Sequence, residues 1–502
     1  MPQTLSRVVR FLALGWSVAL YAQDASMALR TSVTYNTQRA TLPLSDQQRK
    51  QAEQLGRDAQ AASQAGKFGD AVRDYYQGMA VMHNVPWTPV YEFDSSLRAG
   101  LDHSIVQPGS QVTLTLAPLY RTERDGVTKT SASLVLVPVP KEAGAENSLD
   151  STLTIDPTAL PLTARLTIPR MPVGNYTLEV RLPSPDGALT ADTRSAFVKA
   201  LPMHIDSLSA EAQKLRSRIA GLGKRGGSAV PTAAYAIALF DQSDRGDISP
   251  HRYNFHDEFA AANTMLDSIE AGRDPLAGKH GDFRKAYRSA VDQTLQPYRI
   301  FVPASYDGAK PTALVVALHG MGGDENSMFD AYGGTLKREA ERLGLLVAAP
   351  KGRDTASMYR GTAEQDVMDV LAEVERDYRV DTARVYLMGH SMGGYGTWSV
   401  SINHPQVFAA IGPISGGGNP ADMVKIRDIP EYVVHGDDDR TVNVSQSRAM
   451  VEAGKKAGAN ITYVEVPGGS HVSVAAPQMG PMLDFFVKQS RRAANSSEAA
   501  AR

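Results

Sequence analysis

A serine, an aspartate run and a histidine follow one another in the last third of the chain, and together they can do nucleophilic chemistry. Ser391 lies in Gly389-His390-Ser391-Met392-Gly393, a G-x-S-x-G pattern that can hold a hydroxyl exposed in a tight turn between a strand and a helix. Such a hydroxyl is a poor nucleophile until a base takes its proton, and the base must be oriented by a carboxylate. His435-Gly436-Asp437-Asp438-Asp439-Arg440-Thr441-Val442 carries the carboxylates, and Gly468-Gly469-Ser470-His471 carries the base. His471 is expected to accept the Ser391 proton and later return it. Asp439 is expected to hold the imidazole tautomer, with Asp438 as the alternative acid. Taken singly, an aspartate run reads as a solvated turn and a lone histidine as structural; the order serine, acid, histidine is what sets them apart. His319, His390, His404 and His435 are weaker candidates for the base.

The negative oxygen of a tetrahedral intermediate needs donors already aimed at it. The main-chain N–H of Met392, where the helix after the turn begins, is one candidate. The other is that of Met321 in His319-Gly320-Met321-Gly322-Gly323, where glycines let the backbone approach a substrate. The plainer account of that turn is a glycine-rich loop.

These groups need elements to hold them. Ala313–Leu318, Leu345–Pro350, Ala383–Met388, Phe408–Gly412, Tyr432–His435 and Ile461–Glu465 read as apolar strands, with helical segments between them. That alternation predicts a mostly parallel sheet covered on both faces, with the chemistry beyond the carboxyl ends of its strands. Thr362 and Gln365 are expected to form a capping box at the start of a helix that buries Val367, Val370, Leu371, Val374 and Tyr378.

Six stretches also carry a family likeness. They are Tyr298-Arg299-Ile300-Phe301-Val302-Pro303, Leu318-His319-Gly320, the run from Gly389 to Gly396, Pro413-Ile414-Ser415-Gly416-Gly417, His435-Gly436 and Gly469-Ser470-His471. With them, residues from about 297 to 488 resemble α/β-hydrolases of the polyhydroxybutyrate-depolymerase and feruloyl-esterase type, also labelled predicted peptidases or prolyl-oligopeptidase-like. The resemblance implies a serine hydrolase without cofactor or metal, and it puts the acid four residues past the histidine of the His-Gly pair, on Asp439. The chain has no cysteine, so it lacks those that secreted feruloyl-esterase members often carry beside the oxyanion turn. The first 290 or so residues are outside the likeness.

The 502 residues are too many for one core, and about two to four domains are expected. Residues 1–22 read as a secretory signal: Arg7 and Arg10 precede the apolar run Phe11–Leu20, and Ala22 offers a cleavage site. Periplasmic or secreted placement follows from it. Residues 40–88 read as a helical hairpin, with Leu55, Ala59, Ala62, Phe68, Ala71, Val72, Tyr75 and Met79 at helical spacing. Residues 89–200 read as an immunoglobulin-like β-sandwich, marked by the alternation at Val112, Leu114 and Leu116 and again at Tyr176, Leu178 and Val180. A helical connector is expected over 201–290, the α/β-hydrolase domain over 291–490, and a disordered tail over 491–502. Gly223–Ser228 lacks the strand and the G-K-[ST] ending of a phosphate loop, so it reads as a connection. His251, His256 and Glu258 have no metalloprotease spacing and read as surface positions.

Basic and acidic residues nearly balance, 52 against 54, which argues against a nucleic-acid partner, and no stretch is long and apolar enough to span a bilayer. The expected activity is carboxylic ester hydrolysis through an acyl-enzyme. A serine peptidase of the prolyl-oligopeptidase type is one alternative, and a carbohydrate- or wall-binding protein with an inactive hydrolase domain is the other. The loops carry no lipase-like apolar insertion, so a small or carbohydrate-linked ester is the expected substrate. Tyr332, Tyr359 and Trp398 are the candidates for stacking on its ring, although aromatic packing is an equal account of Trp398.

Overall fold

The computed structural model describes residues 24–122, 126–140, 146–183, 196–223, 227–354 and 356–491. The expected signal segment and most of the expected tail lie outside them. The chain divides into two compact units, residues 1–221 with 236–263 and residues 222–235 with 264–502.

The first unit opens with helices Asp24–Thr41, Asp46–Gln64 and Phe68–Met82. Ser45 caps the second of these through a capping box with Gln48. Tyr35, from the first helix, is buried among Ala52, Ala59, Ala71 and Tyr75. An added Cβ on Gly78 would come within 2.5 Å of the Tyr35 ring, so that glycine makes room for it. Asp46–Gln64 and Phe68–Met82 pack with a preceding helix that the Thr- and Ser-rich segment did not announce.

Eight strands follow: β1 Leu97–Leu101, β2 Ile105–Val106, β3 Gln111–Pro118, β4 Thr130–Pro138, β5 Asn147–Ile155, β6 Leu162–Thr167, β7 Gly174–Arg181 and β8 Val198–Ile205. They form a three-stranded sheet, β1-β3-β6, and a five-stranded sheet, β2-β8-β7-β4-β5. Val112, Leu114 and Leu116 of the first and Leu134, Leu136, Leu178 and Val180 of the second share one apolar cluster. Helices Ser209–Leu222, Val230–Asp244 and Phe255–Glu270 come next.

The second unit is built on eight strands: β9 Gly281–Arg288, β10 Leu295–Val302, β11 Thr312–Leu318, β12 Leu346–Pro350, β13 Val380–His390, β14 Ala410–Ile414, β15 Glu431–Gly436 and β16 Ile461–Val466. Their order across the sheet is β16-β15-β14-β13-β11-β12-β10-β9. β10 pairs antiparallel with β9 and β12, and every pairing from β12 through β16 is parallel. β12, β14 and β15 are buried throughout, as strands covered on both faces must be.

Three expectations need correction. The last five residues of β8 and all of β9 lie within the span expected to be a helical connector, and the large sheet begins at Gly281 rather than near 291. Gly281–Arg288 mixes Lys285, Arg284 and Arg288 with apolar residues because it is an edge strand, which hides its period. The helix Thr362–Asp377 has Gly361 at its N-cap and no side-chain cap, so Thr362 and Gln365 form no capping box; Gln365 instead bonds Asp369.

Candidate active site

β11, β13, β15 and β16 run parallel, so their carboxyl ends and the loops that follow lie along one edge of the sheet. Ser391 follows β13 at φ 59 and ψ −117, a backbone region that non-glycine residues rarely occupy. Its N–H donates to the Ile414 carbonyl at 2.9 Å, and its carbonyl accepts from Tyr395 at 3.0 Å as the helix Met392–Asn403 begins. The elbow can be this tight only with glycine at its sides. A Cβ on Gly389 would come within 2.4 Å of the Gly393 oxygen, and one on Gly393 within 2.1 Å of the Leu318 oxygen.

The Ser391 hydroxyl lies 2.9 Å from Nε2 of His471, which sits in the turn after β16. Nδ1 of His471 lies 2.7 Å from Oδ2 of Asp439, in the turn after β15. Oδ1 of Asp439 accepts from the main-chain N–H groups of Thr441 and Val442 at 2.9 and 2.8 Å. Burial pushes the Asp439 carboxyl up, but hydrogen bonds from His435 and His471 outweigh it and hold the group below the usual carboxylate range. Asp438 instead pairs with Arg440 among exposed side chains, and Asp437 bonds the Gly468 N–H. The geometry therefore joins Ser391, His471 and Asp439 and leaves Asp438 aside.

The other sequence candidates separate. Met392 opens its helix, so its N–H has no intrahelical acceptor. The Met321 N–H likewise has no acceptor among the described residues. Its turn abuts the serine, since a Cβ on Gly320 would lie 3.4 Å from the Ser391 Cβ. His319 braces that turn with its ring nitrogens 2.7 Å from the carbonyls of Gly320 and Lys351.

Two of the three aromatic candidates are not substrate contacts. Trp398 is fully buried, and its Nε1–H donates at 2.9 Å to Glu431, the first residue of β15. Tyr359 is fully buried as well; its ring fills the space over Gly352 and Gly396, and its hydroxyl donates to the His319 carbonyl at 3.3 Å. Both are packing residues, because a ring with no exposed surface has no face to offer. Tyr332 is partly buried and gives its hydroxyl to Nδ1 of His390 at 2.8 Å.

Two histidines set aside as bases prove to touch the site. His435 is fully buried, with Nε2 3.2 Å from Oδ2 of Asp439 and Nδ1 2.7 Å from the Ser447 hydroxyl. His390 reaches the His471 carbonyl through Nε2 at 2.7 Å. Their signal was position: one is the variable residue of the G-x-S-x-G pattern, the other lies four residues before the acid. His404 bonds Glu364 and takes no part. Among the described residues no group of three or more His, Asp or Glu side chains is arranged to hold a metal ion.

Residues 355–416 match the prolyl oligopeptidase family. A bifunctional acetylxylan esterase/xylanase from Neocallimastix patriciarum is 32% identical over 157 residues, 30% of this chain and 23% of that protein. A probable feruloyl esterase C from Aspergillus oryzae is 28% identical over 186 residues, 35% of this chain and 68% of its own length. The chain thus spans less than a quarter of the first relative. A thermostable esterase of known structure is 17% identical, covering 78% of this chain and 100% of that one with a TM-score of 0.38. By these sequence relatives, the C-terminal unit is similar to esterase-like α/β-hydrolases.

Proposed function

We infer that the C-terminal unit is a serine carboxylesterase that works through an acyl-enzyme on Ser391. The observation that carries this reading is the unbroken hydrogen-bonded chain Ser391–His471–Asp439. Ser391 Oγ attacks the ester carbonyl while His471 Nε2 takes its proton. Asp439 accepts the Nδ1–H, fixes the tautomer and stabilises the imidazolium that forms. The N–H groups of Met392 and Met321 receive the developing oxyanion. Collapse expels the alcohol, protonated by His471. Water, activated by the same ring, then releases the acid.

The names of the sequence relatives favour acetyl or feruloyl esters of carbohydrate as substrates. With Tyr359 and Trp398 buried, such an ester would be met by backbone and loop groups rather than by those rings. Residues 89–205 fit a β-sandwich support, and the basic and apolar start of the chain favours export. No helix among the described residues is long and apolar enough to cross a membrane.

The test is turnover of p-nitrophenyl acetate and butyrate, methyl ferulate and long-chain acyl esters by the full chain and by Ser391→Ala. Undiminished turnover in the variant would overturn the assignment. A preference for long-chain esters at a lipid interface would overturn the substrate class. The match to the prolyl oligopeptidase family keeps a serine peptidase as the second reading. Proline-containing peptide substrates at equal concentration separate the two. A chain that no fluorophosphonate probe labels at Ser391 would be a binding protein instead.

A further inference from the structure

Asp439 holds the His471 ring, but a base is placed by its backbone as well as by its ring. The His471 carbonyl oxygen can only accept, so the His390 Nε2 that lies 2.7 Å away must carry the proton. Nδ1 of that neutral ring is then the acceptor, and the Tyr332 hydroxyl at 2.8 Å donates to it. Burial first, and the neighbouring His471 second, push His390 down to about 4, so the ring stays neutral under ordinary conditions. The other ionisable groups acting on it are Asp439 and His435. The two imidazoles are 4.8 Å apart at 46°, so an imidazolium formed at His471 faces an uncharged ring.

The Tyr332 end is built at some conformational cost. Tyr332, Gly333 and Gly334 take φ of 55, 62 and 70, three successive residues in the left-handed region, where only the glycines are at ease. A tyrosine held there, with its ring edge-on to His390 at 5.7 Å, has its backbone conformation set by something outside itself. On the His471 side, the Ser415 hydroxyl adds only a long contact of 3.5 Å to the same carbonyl. Val472, the next residue, is 60% exposed, and the buried anchors of the turn, Gly469 and Val474, lie two residues before and three after His471.

We propose that Tyr332 and His390 are positioning residues for the His471 base: the hydroxyl sets the His390 tautomer, and the His390 Nε2–H fixes the main chain from which the His471 ring reaches Ser391. This rests on the esterase reading above. The chain links the Asp324–Gly334 loop to the base without touching substrate, and it assigns Tyr332 a role other than ring stacking.

The two amide side chains separate this role from bulk packing. Gln at 390 places an N–H near the Nε2 position and can reach the His471 carbonyl. Asn places its polar atoms near Nδ1, within reach of Tyr332 but short of that carbonyl. Steady-state kinetics on p-nitrophenyl acetate, with thermal unfolding as the control, should rank His390→Gln well above His390→Asn. A loss of about 100-fold in kcat is expected for Asn, the scale of a base displaced by about 1 Å, with recovery to within about tenfold of the parent for Gln. Tyr332→Phe should lose about tenfold in kcat with KM little changed. Gln no better than Asn, or Tyr332→Phe acting on KM alone, would overturn the proposal. Fluorophosphonate labelling of the unaltered chain at Ser391 is the prior control. Its absence would sink the esterase reading and this one with it, whereas normal labelling with a flat variant series would sink this one alone.

Discussion

Two clusters in this chain contain the same side chains, three histidines and an aspartate, and only one of them is joined to a nucleophile. In the C-terminal unit His390, His435 and His471 surround Asp439 or its partner, and each has one ring nitrogen in the network that ends at Ser391. In the N-terminal unit His204 and His256 meet Asp206 at 3.5 and 2.9 Å. His251 is spent there on the carbonyls of Tyr176 and Met203, and His204 on the Asn175 side chain. Residue type is therefore a weak guide to chemistry. What differs is the strand-end turn, which brings a hydroxyl to a ring nitrogen and leaves main-chain donors beside it.

The largest expected effect tests that difference directly. Ser391→Ala should reduce kcat by about 10⁴-fold or more, because removal of a nucleophile leaves only the oxyanion donors and binding. Ester turnover with a burst assay measures it. Asp439→Asn comes next, at about 10³- to 10⁴-fold, through the wrong His471 tautomer. Asp438→Asn should stay within about twofold, since its carboxylate pairs with Arg440 near the surface. A reversal of that order would mean that the acid at the site is not the one the hydrogen bonds indicate.

Much of the C-terminal unit was legible in the sequence because its signals are local. A short β-branched apolar run such as Ala313–Leu318 reads as a buried strand, and the glycines at 389 and 393 are demanded by contacts under 2.5 Å. The order Ser391, Asp439, His471 then located the turns. What stayed hidden depends on tertiary placement. Trp398 and Tyr359 look like ligand-stacking rings until their burial is known. His390 and His435 look like motif filler until their ring nitrogens are seen to reach the His471 carbonyl and the Asp439 carboxylate. β9 was missed because an edge strand with cations at 284, 285 and 288 carries neither a clear period of two nor an apolar run.

Glu431 sharpens the comparison by showing burial without imidazole partners. It is fully buried, one oxygen accepts from Trp398 and the other has no partner among the described residues. Burial, partly offset by the Trp398 hydrogen bond, pushes it up to about 7, opposite in direction to Asp439. A carboxyl raised on folding favours the native state below its unfolded value near 4.5, and that contribution is lost as the pH rises toward 7. Stability should therefore fall between about pH 5 and 8 by on the order of 2–3 kcal/mol from this group. Glu431→Gln should flatten that fall, read as a smaller difference in Tm between the two pH values. An unchanged difference would show that the carboxyl ionises freely where it sits.

The smallest expected effect lies in the N-terminal cluster. The His256 side chain is 59% exposed and touches Asp206 at 2.9 Å and Glu211 at 3.5 Å. An exposed pair of this kind contributes about 0–1 kcal/mol. His256→Gln should move stability by no more than about that amount and leave kcat and KM on a soluble ester within about twofold. Asp206 keeps a main-chain bond to Ser207 and its contact with His204, so it is not left without partners. A fall of tenfold or more in kcat would make this second His–Asp cluster part of the chemistry, and the contrast between the two clusters would fail. Unchanged kinetics, set beside the losses at 391 and 439, would place the difference where the geometry does: in a hydroxyl held 2.9 Å from an imidazole by a strained turn.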